Sequence, residues 1–435
     1  MKISNLINPS EIKAKEYIAA FCATVFLAVV LLAAAAFLPQ AVIRNHVADS
    51  VWLLESHIAD PKLFDKSTAS TLPVSSDFLI IQTSLSTHSG YLGSILTNPV
   101  YEYDGLSGWE GAKETIARLS YDMPSDGVWY YARYWMGFRV IMRLALTFFT
   151  YGQIRRYMSF LFLMLFAAVI CSVSKHTNSK IAFLFALSII LVRPHVMATS
   201  MQLTCCFFIG FAAMLLVPWI YRHQKWEGLF FMEAGMITMY FDFYTVPLVT
   251  ACFPLLYLWI LNQENSRTVP LRNLIRNLCT WFAGYGFMWI AKLSLTTLLT
   301  SVDALSQGLT SFFSRVGLEK DDELEEYYSV KTAFDGVREA VFSDETGMAV
   351  YLLGAGLILA VVLYKVLRGY VSGQSFRNAA PCLLFAVIPL IWFVITKQPI
   401  AIHFYFQYRT IALTHWAAGT FLYYLLPAKS NELRK

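Results

Sequence analysis

The stretch YIAAFCATVFLAVVLLAAAAFL, from Tyr17 to Leu38, runs the length of a spanning helix without one charged residue. A helix needs about 20 mostly apolar residues to cross a hydrocarbon core. The run has no Arg/Lys-dense start, and Pro39-Gln40 leads out of it into a long stretch of mixed polarity. Ala33–Ala36 offers small residues of the kind a signal peptidase cuts, but the run is longer than a usual signal core. An uncleaved anchor is therefore expected. Working outward, comparable runs recur at 154–174, 181–197, 199–220, 227–245, 246–262, 278–299, 348–367, 379–396 and 410–427. The expected fold class is all-α, a polytopic integral membrane protein with about ten transmembrane helices. The run at 181–197 is uninterrupted only from Ile181 to Val192, where Arg193-Pro194 breaks it.

Composition agrees with this expectation. Hydrophobic types make up 57% of the 435 residues and charged types 14%, against about a quarter charged in ordinary soluble domains. Phe (33), Tyr (24) and Trp (11) fill the gap, as in helices whose ends lie at lipid–water interfaces. All seven cysteines (Cys22, Cys171, Cys205, Cys206, Cys252, Cys279 and Cys382) fall in apolar runs, which argues against a disulfide framework or a cysteine zinc site.

The net charge of +5 is a topology signal rather than a mark of nucleic acid. Placing the N-terminus in the cytoplasm makes every inner segment basic: 175–180, 221–226, 263–277, 365–378 and the tail with Lys429, Arg434 and Lys435. The two long outer segments are the reverse. Residues 40–130 hold eleven acids against five Lys/Arg, and residues 300–347 hold eleven against four. The expected organisation is one membrane domain over 1–435: a first span at 17–38, an extracytoplasmic loop at 39–135, spans with short loops over 136–299, a second extracytoplasmic loop at 300–347, and three last spans with a cytoplasmic tail over 348–435. Both termini are expected in the cytoplasm. The first loop is too long for a connector. Its segments 45–58 and 108–120 have helical apolar spacing and read as short helices on the membrane surface, while Asn98-Pro99 and Met123–Gly127 read as turns.

Ionisable residues at the outer ends of these spans are the candidates for chemistry. Asp77, in Ser76-Asp77-Phe78-Leu79-Ile80, reads as a general base or as a helix cap; Asp49 and Glu55 are its rivals. Asp242, in Phe241-Asp242-Phe243-Tyr244-Thr245-Val246-Pro247, is a second candidate base, or a turn-former. In the run from Tyr130 to Arg143, Arg139 and Arg143 share a helical face, and Arg133 and Trp135 stand among aromatics. Guanidinium groups there suit a phosphate and aromatic faces suit a sugar; an amphipathic helix on anionic lipid is the competing reading. Arg193-Pro194-His195 and Gln202 mark a broken span end, Lys292 interrupts an apolar span, and His403-Phe404-Tyr405-Phe406-Gln407-Tyr408-Arg409 opens the last span with His403 and Arg409. Glu233 is expected to hydrogen-bond within the bundle. There is no His-Glu-x-x-His, P-loop or Gly-x-Ser-x-Gly motif, and no metal site of strong spacing.

The layout resembles the membrane glycosyltransferases of the GT-C class, with a first span, a long outer loop carrying surface helices, and many further spans. Locally, Ser76–Ile80, Tyr131–Gly137, Phe241–Pro247, Gly284–Lys292 and His403–Arg409 resemble a family of bacterial multispan proteins, whose pattern has histidine where this chain has Met136. GT-C enzymes often carry an acidic pair after the first span, where this chain has Asp49-Ser50. The resemblance implies a polyprenyl-phosphate sugar donor and a cell-surface glycan, teichoic acid or lipid-linked sugar as acceptor. It also implies an inverting displacement with Asp77 or Asp242 as base, and Arg133, Arg193, Lys292 and Arg409 on the leaving phosphate. A divalent cation is compatible with it but not required. A transporter or flippase, or a polymerase, of lipid-linked cell-surface glycans is the competing class, and a transporter should show internal repeats and polar residues near the midplane.

Overall fold

The computed structural model describes residues 12–51, 70, 74–87, 93–106, 108–267, 269–315, 328–342, 345–369 and 371–426. Glu55 and the basic tail after 426 lie outside the described residues. The first half of the chain forms α1 (Ala14–Ala36), α2 (Gln40–Ala48), α3 (Val74–Ser86), α4 (Ser94–Thr97), β1 (Pro99–Glu102), α5 (Gly108–Ser120), β2 (Gly127–Tyr130), α6 (Phe138–Leu146), α7 (Tyr151–His176), α8 (Ser179–Ile190), α9 (Pro194–Thr199) and α10 (Met201–Arg222). The second half forms α11 (Glu227–Phe241), α12 (Leu248–Glu264), α13 (Leu271–Leu299), α14 (Ala304–Arg315), α15 (Val330–Phe342), α16 (Glu345–Leu367), α17 (Gly373–Ala379), α18 (Pro381–Ile395), α19 (Lys397–Gln407) and α20 (Ala412–Leu425).

Among the described residues, four helices are long and apolar enough to cross a membrane: α1, α7, α10 and α13. The bent pair α17–α18, kinked by 42°, makes a fifth if it counts as one span. The expected run at 227–245 holds a helix of only 15 residues, that at 246–262 one of 17, and that at 410–427 one of 14 after a 3₁₀ turn. At 1.5 Å per residue these measure about 21–26 Å, short of the roughly 30 Å hydrocarbon core. The run at 181–197 is broken: α8 stops at Ile190, and Arg193 adopts a left-handed backbone (φ 60°) before Pro194 starts α9.

Local signals set the helix starts. Thr150 and Gln153 form a capping box at α7, the Asn178 side chain accepts from the amides of Lys180 and Ile181 at α8, and Ser200 accepts from Leu203 at α10. Burial then separates centre from periphery. From Leu248 to Asn262 every residue of α12 is buried, as expected of a helix apolar on all sides. By contrast, α1, α7 and α13 turn Phe26, Phe160, Leu163, Phe287 and Leu298 outward, each more than half exposed. Such a surface suits lipid rather than water.

The tightest crossing is between α11 and α13. A Cβ on Gly235 would overlap the Trp281 carbonyl oxygen, and one on Gly284 would overlap that of Met232, so the two backbones approach through reciprocal glycines. The Trp281 Nε1 then donates to Thr250 Oγ1 (3.1 Å), and Thr250 pairs with Thr238 (2.7 Å), joining α11, α12 and α13. Replacing Gly284 by alanine is expected to destabilise by about 1–3 kcal/mol, because the obstacle is backbone and cannot rotate away. A melting curve of Gly284→Ala in detergent that matches the parent would contradict this packing.

The long segment after α1 folds onto the same bundle rather than standing apart. It contributes a two-stranded antiparallel ribbon, with Pro99 opposite Tyr130 and Glu102 opposite Gly127. The segment 108–120 is helical, as α5. A second core cluster joins residues of α1, α2, α3, α5 and α6 to Met232, Met236, Met239, Tyr240 and Met288 of α11 and α13.

Candidate functional site

A cavity of about 780 Å³ opens where the ribbon and α3 meet α14, α19, the first turn of α10 and the turn between α11 and α12. Its floor and walls are largely aromatic: Phe78, Tyr101, Trp129, Tyr131, Tyr134, Phe243, Tyr244, Tyr405 and Phe406. The turn from Tyr131 to Tyr134 is held by Asn98, itself left-handed (φ 51°), whose amide donates to the carbonyls of Tyr131 (2.8 Å) and Tyr134 (2.7 Å). Asn tolerates that backbone because its short polar side chain finds local partners. Behind the turn, Gly137 donates to the Tyr240 carbonyl (2.8 Å) with its Cα against that ring, where a Cβ would not fit.

Two guanidinium groups flank the tyrosines. Arg133 lies 4.2 Å from the Tyr131 ring centre, and Tyr131 stacks on Tyr134 (5.3 Å, 26°). Arg315 lies 5.5 Å from the Tyr134 ring and 5.0 Å from the Tyr244 ring. Such stacking leaves the guanidinium edge able to donate to an anion. Helix α14 delivers Arg315 because it is amphipathic. Leu305, Leu309, Phe312 and Phe313 face outward, while Ser311, Ser314 and Arg315 line the cavity. Gln398 of α19 donates to Ser314 Oγ (2.8 Å) and ties the two helices. Burial and then the neighbouring Tyr134 push the Tyr131 phenol up from its usual value, keeping it neutral.

Five polar atoms of the lining are buried without a hydrogen-bond partner: Arg133 Nε, the Tyr134 hydroxyl, Gln202 Oε1, His403 Nδ1 and Gln407 Nε2. Buried polar atoms are normally satisfied. Their convergence on one cavity marks it as a place built for a polar guest. His403 stacks on Phe406 (5.1 Å, 25°), and burial, then the Arg315 guanidinium, hold its imidazole at about 4, below the ordinary 6.5. The neutral form is thus favoured in the folded state. As pH falls from 6.5 the unfolded chain takes up the proton first, so folding stability drops down to about pH 4 and this contribution then levels off. The difference in melting temperature between parent and His403→Gln is expected to narrow across that window. A pH-independent difference would show that His403 does not titrate this way.

Of the residues singled out by sequence, the cavity gathers Arg133, Gln202 and His403. The others stand elsewhere. Asp77 is fully buried and its Oδ2 accepts from the Tyr151 hydroxyl (2.8 Å). Asp242 ends α11, and its carboxylate accepts from the amides of Tyr244 (2.9 Å) and Thr245 (3.0 Å) and from the Thr245 hydroxyl. Asp49 is exposed at the end of α2, and Glu233 accepts from Thr24 of α1 (2.9 Å). Trp135 donates to the Met288 carbonyl (2.8 Å), and Lys292 donates to the Leu96 carbonyl with the Trp135 ring 5.7 Å away. Arg139 donates to Thr87 Oγ1 (2.6 Å) and the Ile95 carbonyl (3.0 Å), and Arg143 to the carbonyls of Ala35 and Ser84. Both are buried, so they face the protein rather than lipid headgroups. Arg193 starts α9 with His195 beside it, and Arg409 donates to the Tyr405 carbonyl (2.8 Å) over the Tyr408 ring.

Arg315, Gln407 and Glu102 also line the cavity and were not among the sequence candidates. Arg315 is one of four Lys/Arg in the acid-rich 300–347 segment, where a basic residue interrupts no apolar run and so gave no signal. Gln407 lies in the quoted His403–Arg409 run, and Glu102 carries the only carboxylate among the described lining residues, at the exposed edge. No three His, Cys, Asp or Glu side chains among the described residues are grouped to hold a metal ion. A smaller cavity of about 330 Å³, lined by Glu227, Asn262, Arg267 and Asn277 among others, lies at the other ends of α10, α11 and α12, beside the basic segments. Comparison with known families, curated proteins and solved structures finds no match to this chain.

Proposed function

We propose that the chain is a multispan membrane glycosyltransferase of GT-C type, moving a sugar from a polyprenyl-phosphate donor to a cell-envelope glycan or teichoic acid. The observation that carries this reading is the cavity itself, where two ring-stacked guanidiniums and orphaned neutral polar groups share one aromatic-walled space. Guanidiniums suit the phosphate and aromatic faces suit a sugar ring. The cavity and the basic segments lie at opposite ends of α10–α12, which supports an extracytoplasmic site with both termini in the cytoplasm.

In this reading the acceptor oxygen attacks the anomeric carbon as the bond from that carbon to the phosphate oxygen breaks. The acceptor's proton passes to a carboxylate, and the polyprenyl phosphate leaves with an added negative charge. Arg133 and Arg315 oppose that charge, more strongly in the transition state than before it. Asp77, Asp242 and Glu102 are the candidate bases. Glu102 already borders the cavity, whereas Asp77 and Asp242 must first give up Tyr151 and Thr245.

The test is transfer of label from polyprenyl-phosphate sugars to a surface-glycan extract by the purified protein in nanodiscs. Transfer that falls with Glu102→Gln, Asp77→Asn or Asp242→Asn supports the reading and identifies the base. Absence of transfer from every donor, together with lipid scrambling, replaces it with the flippase reading.

A further inference from the structure

We propose that the buried end of the cavity, formed by Gln202, His403 and Gln407, is a subsite for an uncharged polyhydroxylated ring, separate from the Arg133–Arg315 pair that takes an anion. The inference rests on reading the cavity as a sugar-phosphate site, and it specifies which sugars fit.

The cavity is graded in both burial and charge. Glu102 is exposed, Arg133 and Arg315 are half-buried, and Gln202 and Gln407 are 4% and 1% exposed. Among the described lining residues, the fixed charges are those of Glu102, Arg133 and Arg315. The deepest polar groups are thus uncharged, and His403 beside them is held neutral by burial and by Arg315. With Arg315 engaged by the phosphate, a charged substituent placed there would be desolvated without a counter-ion of its own, which is far costlier than burying a hydroxyl that finds a partner.

The kinds of orphaned atom narrow the ligand further. Gln202 Oε1 needs a donor and Gln407 Nε2 needs an acceptor. A phosphate or carboxylate only accepts, and an ammonium only donates, so each would leave one of the two unsatisfied. A hydroxyl does both, and neighbouring hydroxyls on a ring can serve several such groups at once. Phe406 and Tyr405 line the same region and offer apolar faces to the C–H side of a ring.

The experiment uses the full chain in nanodiscs free of glycoside detergent, with three probes: citronellyl phosphate, its glucosyl phosphodiester and its glucuronyl phosphodiester. Binding is read by fluorescence, Trp129 being part of the cavity wall. The glucosyl probe is expected to bind about tenfold more tightly than either of the others, the order of discrimination a site built around hydrogen bonds provides. The double variant Gln202→Leu/Gln407→Leu should lose that advantage and keep its affinity for citronellyl phosphate. Its melting temperature without ligand should be unchanged or higher, because leucine removes two buried amides that each hold one unsatisfied atom. Arg315→Gln should weaken all three probes.

Equal binding of the glucuronyl probe, retention of the glucosyl advantage in the double variant, or no binding of any probe overturns the proposal. So does a double variant that melts earlier and loses all three probes together, since the amides would then be structural. Selective binding without transfer leaves the subsite standing and removes the enzyme reading; transfer without selectivity does the opposite.

Discussion

Arg143→Leu is expected to abolish most recovery of folded protein. Arg143 is fully buried, and its guanidinium donates to the carbonyls of Ala35 and Ser84 and to Gln40 Oε1 (2.9 Å). Ala35 lies in the last turn of α1 and Ser84 in the last turn of α3, so one side chain reaches carbonyls at the ends of two helices, beside the Gln40 amide that donates to the Leu85 carbonyl (2.6 Å). The guanidinium also meets the negative ends of both helix dipoles. Leucine fills similar space but takes this donor away from the Ser84 carbonyl and Gln40 Oε1 and leaves Ala35 only its backbone partner Leu38, at about 1–3 kcal/mol for each buried group left unsatisfied. Losses of that size approach the whole stability of a typical domain, roughly 5–15 kcal/mol. Arg143→Lys keeps the charge without the fork and should fall between the two. The measurement is monodisperse yield and melting temperature in detergent. A leucine variant as stable as the parent would show that other groups hold α1 and α3 to α6.

Arg315→Gln is expected to lower sugar transfer by about 10²-fold while the protein stays folded, the cost typical of losing one donor to developing negative charge. Arg315 sits half-buried at the end of α14, stacked between the Tyr134 and Tyr244 rings. Glutamine still reaches the cavity and still donates, but it carries no charge. If the guanidinium acts on the leaving phosphate, kcat falls more than KM rises, because the added charge exists only in the transition state. A rise in KM alone would make Arg315 a ground-state anchor. Combining it with Arg133→Gln should cost less than the sum of the two, since both groups face one phosphate. A variant with full activity would remove Arg315 from the mechanism.

Much of the local structure was legible in the residues. The Tyr17–Leu38 run declares a helix long enough to span, and the apolar runs begin within three residues of α7, α8 and α10, whose starts the structure shows capped by Thr150, Asn178 and Ser200. The break at Arg193-Pro194 was visible as an interruption of apolar periodicity, and the chain does turn there. The count of ten spans was less secure. Apolar length reports burial in protein and burial in lipid alike, and α12 is apolar because it is the centre of the bundle.

Arg133, Gln202 and His403 were recognisable as candidates because each breaks an apolar or aromatic stretch. The same signal also selected Arg139, Arg143 and Lys292, whose charges the fold spends on backbone carbonyls. A charge in an apolar run says that a partner must exist, but not whether that partner is protein or ligand. Arg315 shows the converse. In a polar segment it broke no pattern, and only the packing of α14 against α19 brings it beside Tyr134.

The residues by themselves therefore determined that this chain builds apolar helices, where several of them start, and which buried charges demand an answer. Tertiary structure alone decided which of those demands are met inside the protein and which remain open around one cavity. The physical reason is that hydropathy and capping act over a few neighbouring residues. Hydrogen-bond satisfaction of a buried group depends on atoms more than a hundred positions away, as between Arg143 and Ala35 or Lys292 and Leu96.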